Sequence, residues 1–187
     1  MLKLVPAMIA VSWCILPIVS SASIVQPSVG NPACFKRVYS DDHMKRHPKQ
    51  KLSSLYIQVQ RDQWKFGDEE EHSAPGAKLV GVSNGRYYVN NNPGCSYEKD
   101  GTTRCRIECD GGAFNLKPRK PGVMFSVEND YYFPLFKSGS NQETAQEQDM
   151  LSLDWIDVEN RNYLLYQAPT SECEAAQERA TLGDWGC

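Results

Sequence analysis

Two histidines four residues apart, His43 and His47, have the first spacing in the chain that suggests chemistry. Positions i and i+4 share one face of a helix, and two imidazoles so placed can hold a metal ion. The pair supplies only two ligands, and a zincin would need a glutamate directly after the first histidine, where Met44 stands. The same imidazoles near a helix C-terminus are also favoured simply as cations against the helix dipole.

A second constellation is the carboxylate pair Glu108 and Asp110, two residues apart and so on one face of a strand. Such a pair could serve a hydrolase as general acid and base, although same-face acids on an exposed strand are ordinary. The acidic run Asp68 to Glu71 could attract a cation, but it lacks the alternating ligands and turn glycine of an EF-hand loop. No serine is expected on a G-x-S-x-G nucleophile elbow. With three histidines in the whole chain, general bases are few, and no motif implies a cofactor.

The N-terminus bounds where any such chemistry takes place. Met1, Leu2 and Lys3 lead into an apolar run from Leu4 to Val19, followed by Ser20, Ser21 and Ala22. This is the pattern of a cleaved signal peptide, with cleavage expected after Ala22. Residues 1–22 are then lost and 23–187 form a single β-rich domain, with no transmembrane segment in the mature chain. Trp13 precedes Cys14, where lipid attachment would need a small residue, so Cys14 is expected to leave with the signal. Loss of Lys3 takes the net charge from −3 to −4, and the basic residues are dispersed, which argues against nucleic acid as a partner.

Six cysteines remain: Cys34, Cys95, Cys105, Cys109, Cys173 and Cys187. An even number in an exported chain reads as a disulfide framework. One pairing follows from turn chemistry. If Lys99, Asp100 and Gly101 form a three-residue loop with Gly101 left-handed, Tyr97 faces Thr103 and Cys95 faces Cys105. Directly opposed residues lie close enough for a disulfide, so Cys95–Cys105 is expected. The partners of Cys34, Cys109, Cys173 and Cys187 stay open. Cys105 and Cys109 lack the C-x-x-C form of a redox motif.

The elements that must position these residues are mostly strands. Cys34 to Tyr39 reads as a short strand, and Ser40 as the N-cap of a helix over DDHMKRH that Pro48 ends. Leu55, Ile57 and Val59 alternate with polar residues as a half-buried strand, and residues 63–75 read as a solvated loop. Asn84-Gly85 between β-prone runs supplies the two positive φ angles of a type I′ hairpin. Cys105, Ile107 and Cys109 should face inward and Arg104, Arg106 and Glu108 outward. Turns are expected at 110–112, 118–122 and 129–130. Residues 137–149 read as a polar loop. The core returns at Leu151, Leu153, Trp155 and Tyr163 to Tyr166. Ser171 and Glu174 form an S-x-x-E capping box opening a C-terminal helix to about Thr181.

The fold class is therefore mainly β: an antiparallel meander forming a small barrel or sandwich, with a short N-terminal helix and a C-terminal helix, stapled by disulfides. Tyr87, Tyr88, Tyr131, Tyr132 and Phe133 lie on strands next to the interior. They would line a ligand-binding mouth or simply fill the core.

The segments Cys34 to Tyr39 (CFKRVY), His43 to Gln50 (HMKRHPKQ) and Cys105 to Phe114 (CRIECDGGAF) resemble parts of small exported bacterial disulfide-containing proteins without assigned function. The resemblance covers those three segments. It implies a shared scaffold of cysteines and turns, a bacterial, periplasmic-type setting and no site residues. The absence of any N-x-S/T acceptor is compatible with that setting.

These readings converge on an exported, periplasmic or secreted, non-enzymatic binding protein for an unknown protein or small-molecule ligand. The alternatives are a carboxylate-dependent hydrolase and a metal-binding protein using His43 and His47. Peptide mapping under non-reducing conditions should recover Cys95 linked to Cys105; either cysteine found with another partner overturns the proposed turn register.

Overall fold

The structure, a computed structural model, describes residues 25–64, 72–91, 93–107, 112–140, 149–154 and 156–182. Among these residues eleven antiparallel strands and two helices follow one another in the order β1 (Ala33–Val38), α1 (Asp41–Arg46), β2 (Ser54–Trp64), β3 (His72–Ser83), β4 (Arg86–Asn90), β5 (Gly94–Tyr97), β6 (Thr103–Arg106), β7 (Ala113–Arg119), β8 (Gly122–Val127), β9 (Tyr132–Lys137), β10 (Met150–Asp154), β11 (Asn162–Ala168) and α2 (Thr170–Leu182).

Local chemistry accounts for the tight connections. Asn84 and Gly85 take φ values of 49° and 75°, the left-handed pair that a type I′ turn requires, and β3 pairs with β4 from Ser83↔Arg86 onward. Gly101 sits at φ 83°, and the β5–β6 register places Tyr97 opposite Thr103 and Cys95 opposite Cys105. Cys95 and Cys105 are disulfide-bonded. Ser40 caps α1, its hydroxyl accepting from the His43 N–H.

The barrel closes through β3. Leu79 pairs with Asn90 of β4, and Gly76, three residues back, pairs with Gly94 of β5, four residues on. Between these pairs two residues of β3 therefore face three of its partner, a one-residue bulge between Asn90 and Gly94. Pro93 offers no amide proton to the ladder, but its carbonyl accepts from Ala77 N–H at 3.1 Å. On the far side of the bulge the chain acquires new neighbours. β5 continues to β6, β7, β8, β11, β1, β2 and back to β3, a closed eight-stranded barrel, whereas β4 leads outward to β9 and β10. The alternative of a two-layer sandwich is thereby resolved in favour of the barrel.

Four boundaries differ from the sequence expectation. Residues 63–64 and 72–75, read as loop, are paired strand: Gln63↔Ser73 and Trp64↔His72 extend the β2–β3 ribbon. This part of the ribbon runs out beyond the core, where backbone hydrogen bonds hold it without apolar alternation, so no period marked it. β7 continues through Pro118, which pairs with Val123. The β6 ladder has already ended at Leu116, so the missing amide proton of Pro118 costs nothing on that side. The predicted polar stretch begins in strand, since Lys137 ends β9, and residues 141–148 lie outside the described residues. Helix α2 starts at Thr170, whose hydroxyl donates to Pro32 O, so Ser171 lies inside the first turn and does not cap it.

One continuous core fills the barrel and extends under β9 and β10. Phe35, Leu55, Ile57, Leu79, Phe114, Leu116, Phe125, Tyr163 and Leu165 are buried in it, joined by Phe133, Leu135 and Leu153. Phe114 packs edge-on against Phe133 at 4.8 Å between centroids and tilted against Phe125 at 5.0 Å. A polar clamp ties two chain segments beside this core. Buried Asn160 Oδ1 accepts from Lys51 N–H at 2.6 Å and from Tyr163 O–H at 3.1 Å; its Nδ2 donates to Lys49 O and Asp157 Oδ2, each at 2.8 Å. The side chain is fully satisfied, which makes its burial affordable.

Close strand approach makes Gly122 indispensable: a Cβ there would fall within the van der Waals radius of the Leu165 carbonyl, which is backbone and cannot turn away. A Cβ at Gly94 meets nothing within 4 Å. Gly122→Ala should therefore destabilise by roughly 2–4 kcal/mol and Gly94→Ala by less than about 1 kcal/mol, measured by urea unfolding. Equal losses would mean that the β8–β11 approach is not the constraint.

Candidate functional site

His43 and His47 do share the face of α1, but as a stack. Their ring centroids are 4.3 Å apart with planes 24° from parallel, and Tyr39 stacks on the other face of His43 at 4.5 Å. Ligand lone pairs lie in the plane of an imidazole, so near-parallel rings direct them side by side and do not converge them on one ion. His43 Nε2 is also engaged at 3.0 Å by Gln50 Oε1. Among the described residues no group of three or more His, Cys, Asp and Glu comes together that could hold a metal. The stack continues as a cation–π sandwich, with the Arg37 guanidinium 4.9 Å from the Tyr39 ring and 5.1 Å from that of Tyr166.

Glu108, Cys109 and Asp110 lie outside the described residues, as do the acidic run 68–71 and Cys187. Cys34 is disulfide-bonded to Cys173. Contrary to the expectation that no serine occupies such a motif, Gly81-Val82-Ser83-Asn84-Gly85 is a G-x-S-x-G string. The structure shows why it carries no nucleophile: Ser83 is buried at the end of β3, and Asn84-Gly85 turn the chain into a strand, not a helix.

Among the described residues the bore of the barrel is filled by side chains. Its side chains are the core just described, and the aromatic residues expected near a mouth divide between other duties. Phe133 is buried, Tyr88 packs against the main core, Tyr87 packs beneath α2, and Tyr131 and Tyr132 are exposed.

The sequence reading missed what α2 does. It lies across the outside of the barrel, and two rows of its residues meet two rows of the wall. Cys34, Gln58 and Lys78 are paired neighbours across β1, β2 and β3. Cys173 is bonded to Cys34, and one turn later Gln177 Nε2 donates to Gln58 Oε1 at 2.8 Å. Beside this row runs Lys36, Tyr56, Val80 and Val89. Glu172 pairs with Lys36 at one end of it, and Ala176 and Ala180 pack on Val80, Tyr56 and Val89. Ser138 O–H donates to Ala180 O, pinning the last turn.

The pattern fails at the third position of the first row. Thr181, a further turn along, reaches the level of Lys78, and there a cleft of about 550 Å³ opens. Its lining is Lys78, Asn91 and Gln177, the hydroxyls of Ser138 and Thr181, and an apolar floor of Val89 and Ala180. Lys78 is half-buried and, among the described residues, has no ion-pair or hydrogen-bond partner. Among the described residues no carboxylate lines the cleft. A second cleft of about 610 Å³ on the outer wall differs in kind, because Lys99 and Lys117 share it with Glu98 and Asp100. There the Thr102 backbone amide holds the Asp100 carboxyl below the usual carboxylate range. Nearby Arg104 is taken by Glu128, with Nε to Oε2 at 3.0 Å.

No protein-family model matches this chain, and neither do any curated protein or any solved structure.

Burial pushes the Tyr163 hydroxyl far above the ordinary tyrosine range, with Tyr39 and Asp157 adding to it, and burial also raises Tyr39 against the opposing pull of Arg37. A raised folded-state value means that this contribution to stability is whole below the ordinary tyrosine value of 10.0 and is lost as pH climbs beyond it. Tyr163 alone should remove about 1.4 kcal/mol per pH unit in that range. Thermal melts above pH ~10 should fall less steeply for Tyr163→Phe than for the parent chain; parallel slopes would place the alkaline sensitivity elsewhere.

Proposed function

We propose that the chain is an exported, non-enzymatic binding protein that takes its ligand on the outer wall of the barrel beside α2. The observation that carries this reading is the contrast between a filled bore and the cleft at the end of α2. In small barrels the interior either holds a ligand or is packed with side chains, and here it is packed. Mixed clefts with an apolar floor and a few polar groups are the usual form of small-ligand sites.

Export rests on the signal-like N-terminus together with Cys34–Cys173 and Cys95–Cys105, since disulfides persist in oxidising compartments. The resemblance to small exported bacterial proteins points to a periplasmic-type setting. Among the described residues no helix is long and apolar enough to cross a membrane.

The test is native mass spectrometry of the chain recovered from its own compartment, compared with the same sample after denaturation. A mass excess that vanishes on denaturation is expected. A bare chain, or hydrolytic or redox turnover abolished by a single substitution, would sink the reading.

A further inference from the structure

The cleft at the end of α2 has a charge pattern that selects its occupant. Three groups of α2 stand over three paired residues of the wall, and the first two pairs are closed, Cys173 with Cys34 and Gln177 with Gln58. The third wall residue, Lys78, is half-buried as a residue and has no counter-charge among the described residues. An ammonium without a counter-charge at the edge of a cleft attracts an anion, and a charge-assisted hydrogen bond is about twice as strong as a neutral one.

One alternative is that Lys78 merely complements the negative C-terminal pole of α2. That role would have Nζ donating to last-turn carbonyls. Ala180 O is instead taken by Ser138, and Lys78 makes no such bond among the described residues. Among the described residues the ammonium therefore keeps all its donors. Beside it Asn91 and Gln177 carry side-chain amides and Val89 and Ala180 form an apolar floor, while the Ser138 and Thr181 hydroxyls already donate to Ala180 O and Gln177 O.

We infer that this cleft binds a small organic carboxylate, with its carboxyl on Lys78 and its hydrocarbon part against Val89 and Ala180. The inference deepens the binding-protein reading and rests on it. A single cation suits a single negative charge better than a polyphosphate, and the volume of about 550 Å³ fits a molecule larger than a bare inorganic anion.

Amide NMR spectra of the full chain, titrated with hexanoate and separately with hexanamide, test it. Hexanoate should give saturable shifts at Val89, Asn91, Gln177 and Ala180, and hexanamide should bind about tenfold more weakly or not at all. Lys78→Gln should weaken hexanoate by about tenfold or more while leaving the melting temperature unchanged. Thr181→Glu, a change at an exposed position, places a competing carboxylate opposite Lys78; it should block hexanoate and raise the melting temperature. Equal binding of acid and amide, unaltered hexanoate binding in either variant, or no binding at all overturns the inference. If a native mass excess persists in Lys78→Gln, the chain still binds a ligand but not through this cation; if the parent chain carries none, the broader reading fails as well.

Discussion

The architecture hinges on one extra residue. Along β3, two residues face three of the chain that returns beside it, and this bulge between Asn90 and Gly94 separates β4 from β5. With it, β5 is turned into the barrel while β4 carries β9 and β10 outward. The apolar faces of both branches still meet in one core, because Phe133 of β9 packs on Phe114 of the barrel.

The branch leaves β10 as an edge strand, which is a hazard for sheet-to-sheet association. Its Ser152 carbonyl accepts from Lys51 Nζ at 2.9 Å. A lysine over an edge carbonyl blunts the strand as a template. The same residue gives its N–H to buried Asn160, so edge protection and the polar clamp come from one short segment.

Helix α2 completes the molecule from outside. Few of its side chains are strongly apolar, and it is held by attachments more than by an oily face: the disulfide to Cys34, the ion pair to Lys36, the Gln177–Gln58 bond and the Ser138 hydroxyl. The Cys34–Cys173 link spans 139 residues and Cys95–Cys105 only 10. In the chain-entropy view the long link removes about 5 kcal/mol of freedom from the unfolded state and the short one about 3 kcal/mol. The long link thus stabilises the whole closure, while the short one reinforces a hairpin already directed by its turn. Because attachments are discrete, the helix can be held at both ends and still leave a cleft at Lys78.

What the sequence alone determined was whatever a few neighbouring residues decide. Asn84-Gly85 and Lys99 to Gly101 dictate their turns through the φ angles they tolerate, and the second turn fixes Cys95 against Cys105 by counting. Ser40 announces the start of α1 in the same way. Stacking of His43 on His47 and Tyr39, the burial of Ser83, the pairing of Cys34 with Cys173 and the cleft at Lys78 were decided only by the tertiary structure. The physical reason is that each depends on neighbours brought from distant strands by the ring closure. That closure turns on a one-residue shift in register, which leaves no mark in hydrophobic periodicity.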